Sequence, residues 1–399
     1  MTTLEAAPVV GGGTNRAGRV VKFHAPEVVF GLGALGEAGH AARRLGAIRP
    51  LVVTDPGIIE AGWVSDLLVH LAEVGLAPQV FHDLTPNPKD HEVRAAFRYY
   101  GEQGCDVIIA IGGGSAIDAA KGVAILSGNG GDILDYAGLD RATEPIPPML
   151  MIPTTSGSGA DVSQDCVITD TVRRVKVTIL GRTIVPEISI TDPRLLTTMD
   201  SELNAATGLD ALTHAIEAYV SLGRNPLSDT YALSTVALVF GHLRATMERP
   251  QDLTARAKMA QASLQAGMAF SNTILGATHA MSHQVGGLLD APHGVLNGIL
   301  LPHVLRFNAQ AEPDRMADLA VAAGLDRGDM PAPQAASWLA DRVRVLADDL
   351  GVPRKLSELG VGAADLARLA HTALEDVNLT TNPREVSEEA AHRLLLAAL

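Results

Sequence analysis

CDVIIAIGGGSAIDAAKGVAIL, residues 105–126, decides the fold. Its apolar run, Val107 to Ile111, lacks polar alternation, which predicts a strand buried on both faces. Gly112, Gly113, Gly114 and Ser115 follow at once, and an alanine-rich helical pattern comes after them. Successive glycines at a helix N-terminus expose backbone N–H groups where donors and dipole together favour a pyrophosphate. Upstream, the strand-like run RPLVVTD (49–55) lies between the helical patterns GALGEAGHAARRLG (33–46) and GWVSDLLVHLAEVG (62–75). Strand–helix alternation predicts βαβ units and a parallel sheet flanked by helices.

A second glycine motif competes for the same ligand. Gly31-Leu-Gly33-Ala-Leu-Gly36 follows VVF, opens a helical pattern and precedes Asp55 by about 20 residues, as a dinucleotide fingerprint does. Both motifs have a plainer reading as turns that merely need glycine. A third polar loop, Pro153-Thr-Thr-Ser-Gly-Ser-Gly159, follows MLMI and offers hydroxyls to a phosphate or ribose.

After about residue 200 the strand-like runs stop. Helical patterns fill 201–221, 226–246, 252–285, 296–309, 313–323, 331–350, 362–375 and 385–398, the first capped by Asp200 or Ser201. The expected organisation is a loose, Gly-rich N-terminus at 1–18, an α/β domain at 19–200 and an all-α domain at 201–399. A chain of 399 residues is long for one core. A formal charge of −14 argues against nucleic acid as a partner. Only two cysteines, Cys105 and Cys166, point to a reducing compartment. No basic segment leads into an apolar one near the start, and no apolar run is long enough for a bilayer, so a soluble, cytoplasmic protein is expected.

Five residues of the helical half read as one site. Asp210 and His214 stand at i, i+4 in GLDALTHAIEAYV; His279, His283 and His293 stand in GATHAMSHQVGGLLDAPHGVLNG. Residues four apart share a helix face, so a carboxylate and an imidazole there can hold a divalent ion together. Imidazoles from a second segment complete a mixed N/O set suited to iron or zinc. A lone His-x3-His pair is more often packing than a site. HAMSH also lacks the Glu of HExxH, so a zinc protease would have no general base.

Taken together, AIGGGSAIDAAKG (110–122), IPTTSGSGADVS (152–163), ATGLDALTHAIEAYVS (206–221), GATHAMSHQVGG (276–287) and PHGVLNGILLPHVLRFN (292–308) resemble the iron-containing (group III) alcohol dehydrogenases. The likeness runs from about Val20 to the end of the chain. It implies the dehydroquinate synthase-like fold: an α/β dinucleotide-binding domain plus an all-α metal-binding domain, with the active site between them. It also implies that the pyrophosphate lies on Gly112–Ser115 and that GLGALG is a decoy. Asp55 falls where the family contacts the adenosine ribose, which favours NAD over NADP. The other carried-over cofactor positions are Asn87, Asp118, Thr154, Thr155, Ser158 and Lys176. Asp210, His214, His279 and His293 match the family's ligands for Fe2+, a set that zinc also fits. His283 matches a histidine beside the metal, and it is the candidate for moving the proton. The family often has Glu in the loop after PTT, where this chain has Asp161.

The implied activity is reversible hydride transfer between a small primary alcohol or aldehyde and NAD, in a homodimer or larger homo-oligomer. Rivals on the same fold are polyol or hydroxy-acid dehydrogenases and dehydroquinate-synthase-like lyases, which use other ligand sets. A metal sensor would not need the GGGS and PTT loops.

Overall fold

Among the described residues, nine strands precede the first long helix of the C-terminal half. They are β1 (Glu27–Phe30), β2 (Leu51–Val53), β3 (Gln79–Phe81), β4 (Ile108–Gly112), β5 (Gly138–Leu139), β6 (Met149–Pro153), β7 (Asp165–Asp170), β8 (Val175–Leu180) and β9 (Ile188–Thr191). These come from a computed structural model, which describes residues 21–399. The N-terminal stretch expected to be loose, 1–18, lies outside the described residues.

Six strands form one parallel sheet in the order β1-β9-β6-β4-β2-β3. The opening stretch supplies its centre. Ile108 and Ala110 of β4 pack into the core on one face, Ile109 and Ile111 into the core on the other, and all four are fully buried. That two-sided burial is the physical origin of the unbroken apolar run. After β2 the chain moves outward to β3, and after β4 it moves the opposite way to β6 and β9. The sheet's switch point is therefore the gap between β2 and β4, where ligands of open α/β sheets bind beyond the strands' carboxyl ends.

A second, three-stranded sheet of β5, β8 and β7 was not anticipated. Its β7–β8 hairpin turns through Arg174 at φ 55°, without a glycine or asparagine to announce it. The hairpin lies against the helix Ala277–Leu289 so closely that a Cβ on Gly287 would sit 2.5 Å from Val175 Cα.

From Ser201 onward the described structure is helical. Asp200 caps the first helix, Ser201–Val220, by accepting from Leu203 N at 2.7 Å. One expectation needs correction. The span 252–285 is two helices, Leu253–Ser271 and Ala277–Leu289. Between them Ile274 takes φ 60°, a conformation that costs a β-branched residue on the order of 1–3 kcal/mol. The break redirects the chain so that the second helix aims His279 at Asp210. The helix expected from 296 starts at His293, so that histidine occupies a first helical turn.

Candidate metal centre and cofactor cleft

Three helices bring the acidic and imidazole side chains together. Asp210 and His214 come from Ser201–Val220, His279 and His283 from Ala277–Leu289, and His293 from the start of His293–Asn308. Asp210 Oδ1 lies 3.8 Å from His214 Nε2, 3.7 Å from His279 Nε2 and 3.6 Å from His293 Nε2. These gaps are too long for hydrogen bonds but suit atoms sharing an ion. Ligands about 2.0–2.2 Å from a tetrahedral metal stand about 3.3–3.6 Å apart. Asp210, His279 and His293 form the tightest group; His214 joins through Asp210. Phe270 stacks on His214 at 4.3 Å, and His214 stacks on His279 at 4.6 Å, which fixes the ring planes.

The electrostatics favour a cation. Burial disfavours charge on Asp210, yet the imidazoles around it outweigh burial and hold its carboxyl well below the usual range. Burial holds His214 down to about 4, against the pull of Asp210, and lowers His293 strongly. Neutral imidazoles are what a metal needs. Burial also pushes His279 down, but Asp210 and Glu217 on its two ring nitrogens reverse this and raise it to about 9. A buried spot that draws a proton onto an imidazole between two carboxylates is one that a divalent ion fits.

Several residues around this cage went unread in the sequence. Glu217 accepts from His279 Nδ1 at 2.7 Å, Thr278 N at 2.7 Å and Gly276 N at 3.0 Å. It thus orients the imidazole and caps the helix that carries it. It sits two turns beyond Asp210 on one helix, a spacing that could have revealed it. Asn297, four residues after His293, donates to Asp210 Oδ1 at 2.8 Å. Asp376 lies 2.8 Å from His283 Nδ1 and orients that ring, which stacks on His293 at 5.2 Å. It is 93 residues distant in sequence, so no spacing could signal it. His214 Nδ1 meets the Gly157 carbonyl at 3.2 Å, tying the metal side to the polar loop after β6.

A cleft of about 900 Å³ runs from this cage to the switch point of the sheet. Its walls include Asp55, Asn87, Gly113, Gly114, Ser115, Asp118, Thr154, Thr155, Ser158 and Lys176, together with Asp210, His214, His279, His283 and His293; Gly112 ends β4 just behind the wall. The parallel register sets Gly112 beside Pro153, so the two loops leave the sheet side by side. They interlock: a Cβ on Gly113 would come 3.1 Å from Thr155, and one on Gly114 would come 2.9 Å from Ser158. On Gly112 a Cβ would meet Ala116 at 2.7 Å. A side chain on any of the three would crowd its neighbours, most at Gly112 and Gly114, and their absence leaves the backbone at this helix N-terminus bare for the close approach of a ligand. Asp55 caps its own helix through Ile58 N at 3.2 Å, and its other oxygen lies beside Gly112. Lys176 Nζ donates to Asn87 Oδ1 at 2.7 Å, and Asn87 Nδ2 donates to Asp290 at 2.7 Å across the cleft.

The competing motif is filled from within. Gly33 N and Leu35 N both donate to Asp192 Oδ2, at 3.1 and 3.2 Å. A carboxylate of the chain itself takes the donors that a phosphate would need, and no residue of 31–36 lines the cleft.

Residues 25–193 match the family described as iron-containing alcohol dehydrogenase, and 204–399 match the C-terminal part of the same family. Among curated relatives, 1,3-propanediol dehydrogenase of Citrobacter freundii is 41% identical over 374 residues, 93% of this chain and 97% of that protein. The NAD-dependent methanol dehydrogenase of Bacillus methanolicus is 35% identical, covering 94% of this chain and 99% of its own. The crystal structure of a 1,3-propanediol oxidoreductase superposes with a TM-score of 0.92 at 39% identity, over 96% of this chain and all of the other.

Proposed function

The chain belongs to the iron-containing alcohol dehydrogenase family, and on that premise we propose that it oxidises small primary alcohols with NAD, and reduces their aldehydes, at an Fe2+ site. The observation that carries this reading is the opposition of an Asp/His cage and a glycine cradle in one cleft. A small alcohol suits the similarity to dehydrogenases of propanediol and methanol. We place the domain boundary near residue 200, between the end of β9 and the helix capped by Asp200. A cytoplasmic homodimer is the expected assembly. Among the described residues no helix is long and apolar enough to cross a membrane. The edge strand β1 leaves Phe30 and nearby Leu32 exposed for a partner copy.

Asp210, His214, His279 and His293 would hold the metal. Gly112 to Ser115, Thr154, Thr155 and Ser158 would bind the cofactor's phosphates and nearby hydroxyls, and Asp55 would accept from the ribose 2′-hydroxyl. Asn87, Asp118 and Lys176 would line the nicotinamide end. When bound, the metal supplies Lewis acidity that eases loss of the hydroxyl proton, and NAD accepts the hydride. The proton leaves by way of His283. Asp376 takes its Nδ1–H, so Nε2 is the free acceptor.

NADH formation at 340 nm over a panel of short alcohols, after anaerobic purification and with Fe2+ or Zn2+ added, tests the proposal. Metal-dependent turnover with NAD, and weaker turnover with NADP because Asp55 repels a 2′-phosphate, is expected. No turnover with any alcohol sinks the activity, and an NADP preference sinks the role of Asp55. His283→Ala is expected to keep its metal while kcat falls roughly 10²–10⁴-fold and its pH profile changes. An unaltered pH profile removes His283 from the proton path.

A further inference from the structure

One histidine of the cage is held from across the cleft. His279 Nδ1 meets Glu217 at 2.7 Å, His283 Nδ1 meets Asp376 at 2.8 Å, and His293 Nδ1 lies 3.4 Å from Ser282 Oγ. Those three partners all belong to the helical half. His214 differs. Its Nδ1 meets the Gly157 carbonyl at 3.2 Å, and Gly157 stands in the loop that follows β6. The same loop forms the nucleotide side of the cleft, where Thr154, Thr155 and Ser158 line the wall.

The loop is wedged on both sides. Toward the glycine cradle, Thr154 N donates to the Gly112 carbonyl at 2.9 Å, and a Cβ on Gly114 would come 2.9 Å from Ser158 Cβ. Toward the helices, a Cβ on Gly157 would come 2.6 Å from the carbonyl oxygen of Thr207, on the helix that carries Asp210 and His214. A Cβ on Gly159 would come 2.5 Å from Gly267 Cα, on the helix whose Phe270 stacks on His214 at 4.3 Å. Backbone packed on backbone passes a displacement on, because no side-chain rotamer lies between to absorb it. We infer that the loop 153–159 couples the two sites. A nucleotide seated against Thr154, Thr155 and Ser158 steadies Gly157, Gly157 fixes the His214 ring with Nε2 toward Asp210, and the protein then holds its metal more tightly. Such coupling is reciprocal, so metal loading tightens nucleotide binding by the same factor. This rests on the metal and cofactor assignments above and makes Gly157 a positioning residue that acts through His214.

The test measures Zn2+ affinity of the full chain by competition with a chromophoric chelator, with and without saturating ADP-ribose. That probe fills the nucleotide side of the cleft and carries no nicotinamide to approach the metal. Zn2+ affinity should rise about 5-fold or more with ADP-ribose bound, and ADP-ribose affinity, measured by calorimetry, should rise by the same factor on Zn2+ loading. In Gly157→Ala, which pushes the loop off Thr207, the factor should fall toward one. In Ser158→Gly, which withdraws the loop's contact with the cradle, it should fall likewise, so a misfolded Gly157→Ala does not remove the test. Zn2+ affinity that is unchanged by ADP-ribose in the native chain overturns the inference. A gain that survives both substitutions also overturns it, since through-space attraction between pyrophosphate and cation would then be the cause. Zn2+ binding without ADP-ribose binding overturns the cofactor assignment and this inference with it. A chain that binds ADP-ribose but no Zn2+ overturns the metal assignment and, again, this inference.

Discussion

Asp210→Asn is expected to empty the metal centre: iron or zinc content after anaerobic loading falls to a small fraction of one per chain, and kcat/KM drops by about 10³-fold or more. The reason lies in the geometry. One oxygen, Oδ1, is the common neighbour of three imidazole nitrogens, at 3.6 to 3.8 Å. It is also the only carboxylate in the tight group with His279 and His293. An amide in its place brings no charge to offset a divalent ion. In one of its two orientations the amide also directs N–H donors at lone pairs that should face the metal. Volume is preserved, so the fold should persist. NADH binding, followed by nucleotide fluorescence, should be retained, because the glycine cradle lies on the sheet side of the cleft. A variant that still loads one equivalent of metal with native affinity would show that Asp210 is not a ligand.

What the sequence disclosed and what it hid follow from the range of the forces concerned. The strand at Val107–Ile111 was legible because burial on both faces requires an unbroken apolar run. Asp210 and His214 were legible because helical periodicity is local. The two glycine motifs were not separable by pattern alone, since both meet the same steric demand for turns. What distinguishes them is Asp192, some 157 residues from Leu35, which satisfies the donors of one turn and leaves the other for a ligand. The split of 252–285 was hidden for a similar reason. Alanine-rich helical texture continues through Thr273 and Ile274, and the break is stabilised from outside by Glu217 bonding Gly276 N and Thr278 N. The β7–β8 hairpin lacked a turn residue with a left-handed preference; Arg174 adopts that conformation under tertiary constraint. Asp376 came into view only when the fold placed it against His283 Nδ1.

Glu217 offers the second large effect, because one carboxylate there serves both fold and site. It is 2% exposed and takes three donors: the Nδ1 of His279 and two backbone N–H groups at the N-terminus of the helix that bears His279. Burial alone would raise its pKa, but His279 and Thr278 outweigh burial and hold it below the ordinary glutamate value. Removing such a group leaves buried donors without acceptors, a loss of about 3–5 kcal/mol. Glu217→Ala should therefore lower the melting temperature markedly even without metal. Glu217→Gln isolates the other role. It preserves shape and most hydrogen bonds but withdraws the charge that fixes the His279 tautomer, with Nδ1–H toward residue 217 and Nε2 toward the metal. Metal affinity should fall about 10–100-fold, while the melting temperature of the metal-free protein changes much less than in the alanine variant. Competition with a chelator of known affinity measures the first quantity, and calorimetry of the metal-free protein measures the second. If Glu217→Gln binds metal as tightly as the native chain, the carboxylate acts only as a helix cap, and the His279 ring must be oriented by its stacking against His214.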